Sequence, residues 1–130
     1  MKSYLLDTHV FIWVIREPKK LSSVVRRVLD NPDAELLVSS ITAWEIAMKY
    51  RIGKMPEAVH ILPQFDSHLQ KIGARDLPFS LQHGLETSSV QLPQGDPFDR
   101  AIYAQAKVEG LILISADQAF EDSIDVKVLW

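Results

Sequence analysis

The chain has 130 residues, which is enough for one domain, so we expect a single domain over residues 1–130. It contains no cysteine, which excludes a disulfide framework and leaves only oxygen or nitrogen ligands for any metal. The formal net charge of −3 weighs against a protein that binds nucleic acid through a uniformly basic surface.

The first apolar stretch of the chain carries an acid inside it. Asp7 directly follows the segment from Tyr4 to Leu6, and apolar residues continue beyond it. A secretory signal would not place a carboxylate there, and no apolar run approaches the roughly 18 residues that span a bilayer. We therefore expect a cytoplasmic protein.

Short apolar segments predict buried parallel strands. The strongest candidates, in chain order, are Tyr4 to Leu6, Leu36 to Val38 and Leu111 to Ile114. Weaker candidates lie at Leu77 to Phe79 and Val126 to Leu129. Segments with helical spacing of apolar residues separate the strands, at 24–29, 46–50, 62–72 and 101–108. This alternation predicts an α/β fold with a parallel sheet and right-handed crossovers.

Four acids occupy comparable places in this plan. Asp7 follows the first strand and Asp117 follows the strand that ends near Ile114, while Glu45 and Asp99 lie in the first turns of helices. In an open α/β sheet, ligands bind outside the carboxyl ends of the strands, where the strand order reverses. If the two strands are neighbours there, the four carboxylates are expected to meet at one rim.

Each acid also has an explanation that needs no ligand. Thr42 and Glu45 have the spacing of a capping box, and Asp96-Pro97 is an ordinary helix start with Asp99 in its first turn. The other two acids are able to cap the turns that follow them. For any single acid capping is the favoured interpretation. For the set it is not, because carboxylates in apolar surroundings repel one another unless a cation, such as a hard divalent metal, offsets them.

Four sequence motifs contain these acids. Together and in this order they resemble the PIN-domain family, specifically the VapC-like toxins of type II toxin–antitoxin pairs, and the Asp-Pro-Phe-Asp-Arg motif is the most specific. The motifs are Leu5-Leu6-Asp7-Thr8-His9 with Trp13 downstream, Ser40-x-x-x-Trp44-Glu45-Ile46 with Lys49, Asp96-Pro97-Phe98-Asp99-Arg100, and Leu113-Ile114-Ser115-Ala116-Asp117.

The resemblance implies a three-layer α/β/α fold with four or five parallel strands in the order 3-2-1-4-5. It also implies an endoribonuclease that depends on Mg²⁺ or Mn²⁺ and leaves a 5′-phosphate and a 3′-hydroxyl. Relatives of this kind bind a small inhibitory antitoxin and often form homodimers, so we expect a cognate antitoxin, a homodimer and an RNA substrate.

Residue roles follow from the same resemblance. The metal-binding and catalytic acids are expected to be Asp7, Glu45, Asp99 and Asp117. Relatives often carry histidine two residues before the Asp-Pro pair, where this chain has Gln94. The supporting residues are expected to be Thr8 and Ser115 as hydroxyl partners of the ligands, Asp96 mainly as a helix cap, and Arg100 and Lys49 as phosphate contacts.

Other residues near the motifs have a structural interpretation that we favour. His9 is expected to point away from a metal, since hard-metal sites prefer oxygen, and Trp13 and Trp44 are expected in the core. For Arg51 and Lys54, phosphate contact and a solvated helix face are equally favoured. The basic residues Arg16, Lys19, Lys20, Arg26 and Arg27 are expected to be solvated or to face the antitoxin.

Two other functions stay open at this point. A receiver-like phospho-acceptor domain also gathers acids at strand ends, but this chain has only Asp76 near its middle as a candidate acceptor. A catalytically silent binding protein, in which all of the acids are caps, is the second alternative.

Overall fold

Five parallel strands form one sheet in the computed structural model, which describes residues 2–92 and 96–130. The strand order is β3-β2-β1-β4-β5, which confirms the predicted order 3-2-1-4-5. Leu5 in β1 is in register with Leu37 in β2 on one side and with Leu113 in β4 on the other. The strands are β1 Ser3–Leu6, β2 Glu35–Ser39, β3 Ala74–Leu77, β4 Ile112–Ile114 and β5 Val128–Leu129.

The edge strands differ most from their predicted bounds. The third strand was expected over Leu77 to Phe79, but it ends at Leu77 because Pro78 follows and has no N–H to donate to a ladder. The fifth strand was expected from Val126, yet only its last two predicted residues pair with β4.

Six α-helices and four short 3-10 helices surround the sheet in the described part of the chain. The α-helices are α1 Thr8–Arg16, α2 Ser23–Asp30, α3 Ser40–Arg51, α4 Phe65–Ile72, α5 Leu81–Glu86 and α6 Pro97–Glu109. The 3-10 helices are Pro18–Lys20, Pro56–His60, Leu62–Gln64 and Gln118–Phe120.

Most helix ends follow the expected capping rules. Ser22 and Asp96 cap the helices that they precede, through backbone N–H groups of the first turn. Gly73 and Gly110 end α4 and α6 in the left-handed conformation, with φ of 71° and 66°. The predicted start of α3 at Thr42 is wrong: Ser39 is the cap, and the helix begins two residues before Thr42.

Side chains of the central strands alternate between two cores, one on each face of the sheet. Tyr4 and Leu6 pack with residues of α1, α2 and α4, whereas Leu5 packs with α6. A strand buried on both faces is the usual state of a parallel sheet covered by helices. The architecture is therefore three layers, α/β/α, as expected.

The strand order brings two chain segments together at the carboxyl edge of the sheet. β1 lies between β2 and β4, and the backbone N–H of Asp7 donates to the carbonyl of Ile114 at 3.0 Å. The residues that follow β1 and β4 are thus neighbours at this edge. In the described part of the chain, no helix is long and apolar enough to cross a bilayer.

Candidate active site

Asp7 lies at the bottom of the carboxyl edge and is almost fully buried, with 2% of its surface exposed. One carboxylate oxygen accepts the backbone N–H of Thr8 at 2.8 Å, and the other accepts the hydroxyl of Ser115 at 2.8 Å. Burial raises the pKa of Asp7, although these two hydrogen bonds and the nearby His9 partly offset the increase. The side chain therefore caps α1 and also faces the acid site.

Ser115 also binds the loop that carries the next acid. Its hydroxyl oxygen accepts the backbone N–H of Asp117 at 3.0 Å, while its proton goes to Asp7. Asp117 itself is exposed and caps the 3-10 helix Gln118–Phe120 through the N–H of Ala119 at 2.9 Å. One serine thus fixes the spacing between two of the predicted metal ligands.

Glu45 is the second buried acid, also 2% exposed. One oxygen accepts the hydroxyl of Thr8 at 2.7 Å, and the other pairs with the ammonium of Lys49, one helical turn later, at 2.5 Å. Burial tends to lower the pKa of Lys49, but the net shift is upward because Glu45, Asp96 and Asp99 stabilise the charged form. The ammonium therefore stays charged beside the acids.

The predicted capping box of Thr42 and Glu45 is wrong. The helix begins at Ser40, so Glu45 lies in its second turn, where its carboxylate faces Thr8 and Lys49 instead of a free backbone N–H. Thr42 has another role that the sequence analysis missed: its hydroxyl lies 3.0 Å from that of Thr8. Its spacing of three residues from Glu45 is the signal that places both on one helix face.

Asp99 belongs to the acid cluster, by which we mean Asp7, Glu45, Asp99 and Asp117. Burial, followed by the charges of Asp7, Asp96, Asp117 and Glu45, raises the pKa of Asp99 from 3.8 to about 7. Burial is the largest cause of this shift, and the charges of the neighbouring acids add to it. Asp99 therefore lies within electrostatic reach of Asp7, Glu45 and Asp117, while the use of the four acids as one metal site stays a prediction.

The two other charged residues of the Asp-Pro-Phe-Asp-Arg motif have structural contacts. Asp96 is exposed and caps α6 by accepting the N–H of Asp99 at 2.8 Å. The guanidinium of Arg100 donates to the carbonyls of Thr87, Leu92 and Val90 at 2.6, 2.8 and 3.4 Å. Because these carbonyls occupy the guanidinium, the geometry does not favour the predicted phosphate contact for Arg100; it ties α6 to the preceding segment.

The donor chemistry of the acid cluster fits a hard divalent cation. All of its donors are carboxylate oxygens, and each oxygen that accepts one hydrogen bond keeps a second lone pair. Within residues 2–92 and 96–130, however, no group of three or more acidic or histidine side chains is arranged to hold a metal ion. The oxygens of Asp7 and Glu45 point to hydroxyl, N–H and ammonium donors of the protein instead.

Several other predictions concern residues around the cluster. The core position predicted for Trp44 is wrong, since 58% of its surface is exposed, although its ring packs edge-on against Phe98 at 4.8 Å. Asp76 lies in the edge strand β3 and is exposed, so it does not end a central strand as a phospho-acceptor would. Gln94 lies outside the described residues.

A small cavity opens beside the acids. It has a volume of about 130 Å³ and is lined by Asp7, His9, Trp13 and Asp117. A larger cavity of about 430 Å³ lies between α1, α2 and α4, but none of the four acids lines it. The smaller cavity is therefore the one of the two that predicted site acids line, and it holds Asp7 and Asp117.

The family model described as PIN domain matches residues 4–123 of this chain. The chain belongs to the PIN domain family. The curated protein Ribonuclease VapC22 of Mycobacterium tuberculosis is 31% identical to this PIN domain over 121 residues, which is 91% of this chain and 89% of that protein.

Solved structures share the fold of this PIN domain over nearly all of its length. DNA-bound VapBC of Salmonella typhimurium gives a TM-score of 0.71 at 20% identity, covering 99% of this chain and 98% of that chain. FitAcB of Neisseria gonorrhoeae gives a TM-score of 0.68 at 23% identity, covering 98% and 96%. At such identities the likeness establishes the fold.

Proposed function

We propose that this PIN domain is a metal-dependent endoribonuclease of the VapC type, which hydrolyses RNA phosphodiester bonds at the acid cluster. The observation that carries the proposal is that Asp7, Glu45 and Asp117, from three other chain segments, lie near enough to Asp99 to add to the effect of burial, and the two effects together raise its pKa to about 7. Burying mutually repelling carboxylates costs stability, which a divalent cation offsets. The likeness to Ribonuclease VapC22 supports RNA as the substrate.

In this proposal Asp7, Glu45, Asp99 and Asp117 hold Mg²⁺ or Mn²⁺, which would activate a water molecule and offset charge on the phosphate. Ser115 orients Asp7, and Thr8 orients Glu45, through the hydroxyl contacts described above. These are positioning residues of the kind that fix ligand geometry.

The remaining groups set the charge of the site. Lys49 neutralises Glu45 and stays charged, which limits the repulsion within the cluster. Asp99 holds its proton up to about neutral pH when no cation is present, and it would give up that proton to bind one. We expect products with a 5′-phosphate and a 3′-hydroxyl.

We further propose that a cognate antitoxin inhibits this enzyme, that it forms a homodimer, and that it acts in the cytoplasm. The similar structures of VapBC and FitAcB, whose names describe complexes, support a protein partner. The absence of cysteine fits a reducing compartment. The oligomeric state is checked by light scattering on the purified chain.

A cleavage assay on total RNA with and without Mg²⁺ tests the proposal. We expect cleavage only with the metal, and Asp99→Asn is expected to abolish it while the fold remains intact. Asp66→Asn is the matched control, because Asp66 is likewise an acid in the first turn of a helix, α4, but it is exposed and none of the acids of the site lies near it in sequence. Full activity of Asp99→Asn would remove this residue from the mechanism.

The silent binding protein remains the competing function, because Asp7 and Asp117 do cap the elements that follow them. Calorimetry with Mn²⁺ separates the two. We expect specific uptake by the wild type and none by Asp99→Asn. If the wild type takes up no Mn²⁺ and cleaves no RNA, the acids are caps only.

A further inference from the structure

A groove lies next to the small cavity beside the acids. It has a volume of about 400 Å³, and the residues that line it include His9, Trp13, Arg16 and Lys54. His9 and Trp13 also line the cavity of about 130 Å³ that contains Asp7 and Asp117. The two depressions therefore adjoin at these two rings, and a chain lying in the groove would come close to Asp7 and Asp117.

Aromatic rings form the junction between the groove and the acids. The ring centroids of Trp13 and Trp130 lie 5.6 Å apart at 58°, and those of His9 and Trp13 lie 6.2 Å apart at 49°. Trp130 is 38% exposed and lines a third depression, which it shares with Asp117. Trp13 is half-buried and packs against the core, whereas His9 and Trp130 are exposed. Exposed aromatic rings next to charged groups are typical of a surface that binds planar ligands.

The groove is more basic than the chain as a whole. The ammonium of Lys20 lies 5.6 Å from the centre of the Trp13 ring and pairs with Glu17 at 2.6 Å. Arg16 and Lys54 are exposed and make no ion pair within the described residues. The acids Glu17 and Glu57 also line the groove, so its formal balance is three cations against two acids.

We propose that this groove binds single-stranded RNA and delivers it to the acid cluster, an inference that rests on the proposed ribonuclease function. A base stacks against the aromatic pair of Trp13 and Trp130, while Arg16 and Lys54 contact backbone phosphates. Stacking requires an unpaired base, and every base has a face that stacks, so the site selects for single strands more than for sequence. The cations hold a strand that the acids would otherwise repel.

Binding is measured without metal, in EDTA, so that it is separate from cleavage. A short oligoadenylate is titrated into the protein while its tryptophan fluorescence is followed. We expect quenching by stacked bases, and in Trp13→Leu a weakening of affinity of about tenfold with less quenching. Trp13→Phe keeps a ring and is expected to retain most of the affinity. Trp44→Phe is the matched control, because Trp44 is exposed outside the groove and its loss should not change the affinity.

The charges are tested by a double variant with a matched control. Arg16→Gln with Lys54→Gln removes two cations from the groove, and we expect the slope of log affinity against log salt to fall by about 1.4. Lys2→Gln with Arg27→Gln removes the same charge from exposed positions, Lys2 at the opposite edge of the sheet and Arg27 on α2. This control should leave the slope nearly unchanged, because it alters only the long-range electrostatic field of the protein and no charge in the groove.

Three outcomes would overturn the inference. If the wild type, Trp13→Leu and the double variant bound the oligoadenylate with the same affinity, RNA would bind outside the groove. Equal affinity for the oligoadenylate annealed to its complement would exclude stacking. Binding of poly-glutamate with the same dependence on Trp13 and the two cations would make the groove a site for an acidic protein segment. Mg²⁺-dependent cleavage by the wild type would survive each outcome, so the proposed function is judged separately.

Discussion

Helix α6 contributes to two polar clusters that differ in their charge balance. One is the acid cluster, with Glu45 from α3 and Asp99 from α6. The other, which we call the matched cluster, consists of Ser39, His83, Gln105 and Glu109. The matched cluster joins α6 to α5 and to the end of β2, and only the acid cluster gathers charge of a single sign.

In the matched cluster every donor has an acceptor. His83 accepts the backbone N–H of Ser80 on Nδ1 at 2.9 Å, so Nε2 carries the hydrogen that faces Glu109 at 2.8 Å. Ser39 donates to the amide oxygen of Gln105, whose nitrogen lies 3.4 Å from the carbonyl of Leu77. Such a network stabilises the packing of α5 on α6 without any ligand.

The acid cluster is not balanced in this way. Its four carboxylates have hydroxyl, N–H and capping partners, but Lys49 is the only cation that the described residues bring into direct contact with them. Burial alone therefore does not distinguish the two clusters. They differ in the excess of negative charge in the acid cluster, because a bound cation would relieve the repulsion there, and excess charge of this kind is typical of functional sites.

The largest effect is expected from a substitution that removes one charge from the acid cluster without disturbing the fold. Asp7→Asn keeps an oxygen to cap α1 but removes the charge. We expect Mg²⁺-dependent cleavage to fall by about a thousandfold, roughly 4 kcal/mol of transition-state stabilisation. Steady-state rates and the thermal midpoint are measured together. A cleavage rate within a few-fold of the wild type would show that Asp7 acts only as a cap.

The opposite result is expected in the matched cluster. His83→Ala removes a ring that is 2% exposed and leaves buried groups without partners. The free energy of unfolding is expected to fall by about 2–4 kcal/mol, while cleavage per folded molecule stays the same. Urea unfolding and a rate normalised to folded protein check this. A lower cleavage rate per folded molecule would show that the matched cluster also contributes to activity.

A smaller effect is expected from the positioning residues. Ser115→Ala leaves Asp7 and the N–H of Asp117 without their shared partner. We expect Mn²⁺ affinity to fall by about 10–100-fold, as is typical for groups that orient metal ligands. Calorimetry gives the affinity, and Ser123→Ala is a control hydroxyl that lies outside the acid cluster and contacts Tyr103. Equal affinities would mean that Asp7 needs no orientation by Ser115.

The smallest expected effect is on the way that the free energy of unfolding changes with pH when no metal is present. The raised pKa of Asp99 means that the folded chain keeps a proton that the unfolded chain releases between the ordinary value of 3.8 and about 7. The contribution of Asp99 to the free energy of unfolding is therefore fully present at low pH and is lost as the pH rises to about 7. Relative to Asp99→Asn, the wild type should lose about 1–3 kcal/mol over this interval, allowing for solvent screening. If the free energy of unfolding changed equally with pH in the wild type and in Asp99→Asn, the raised pKa of Asp99 would be contradicted.

The sequence by itself determined the sheet and the identity of the acids. Buried apolar segments and the cap at Asp96 are local signals, so the strands and the start of α6 followed from the pattern, and the strand order followed from the family resemblance. The observed bounds of a strand differ from the predicted ones where a residue prevents strand pairing, as Pro78 does directly after β3.

Only the tertiary structure decided what each acid contacts. Glu45 has the spacing of a capping residue, yet the helix cap lies three residues earlier than predicted, which turns Glu45 towards Thr8, 37 positions away in the chain. Arg100 adjoins Asp99 in sequence but points to three carbonyls of the segment before α6. Hydrogen bonds and repulsion between distant segments depend on packing and on local dielectric, which sequence spacing does not encode.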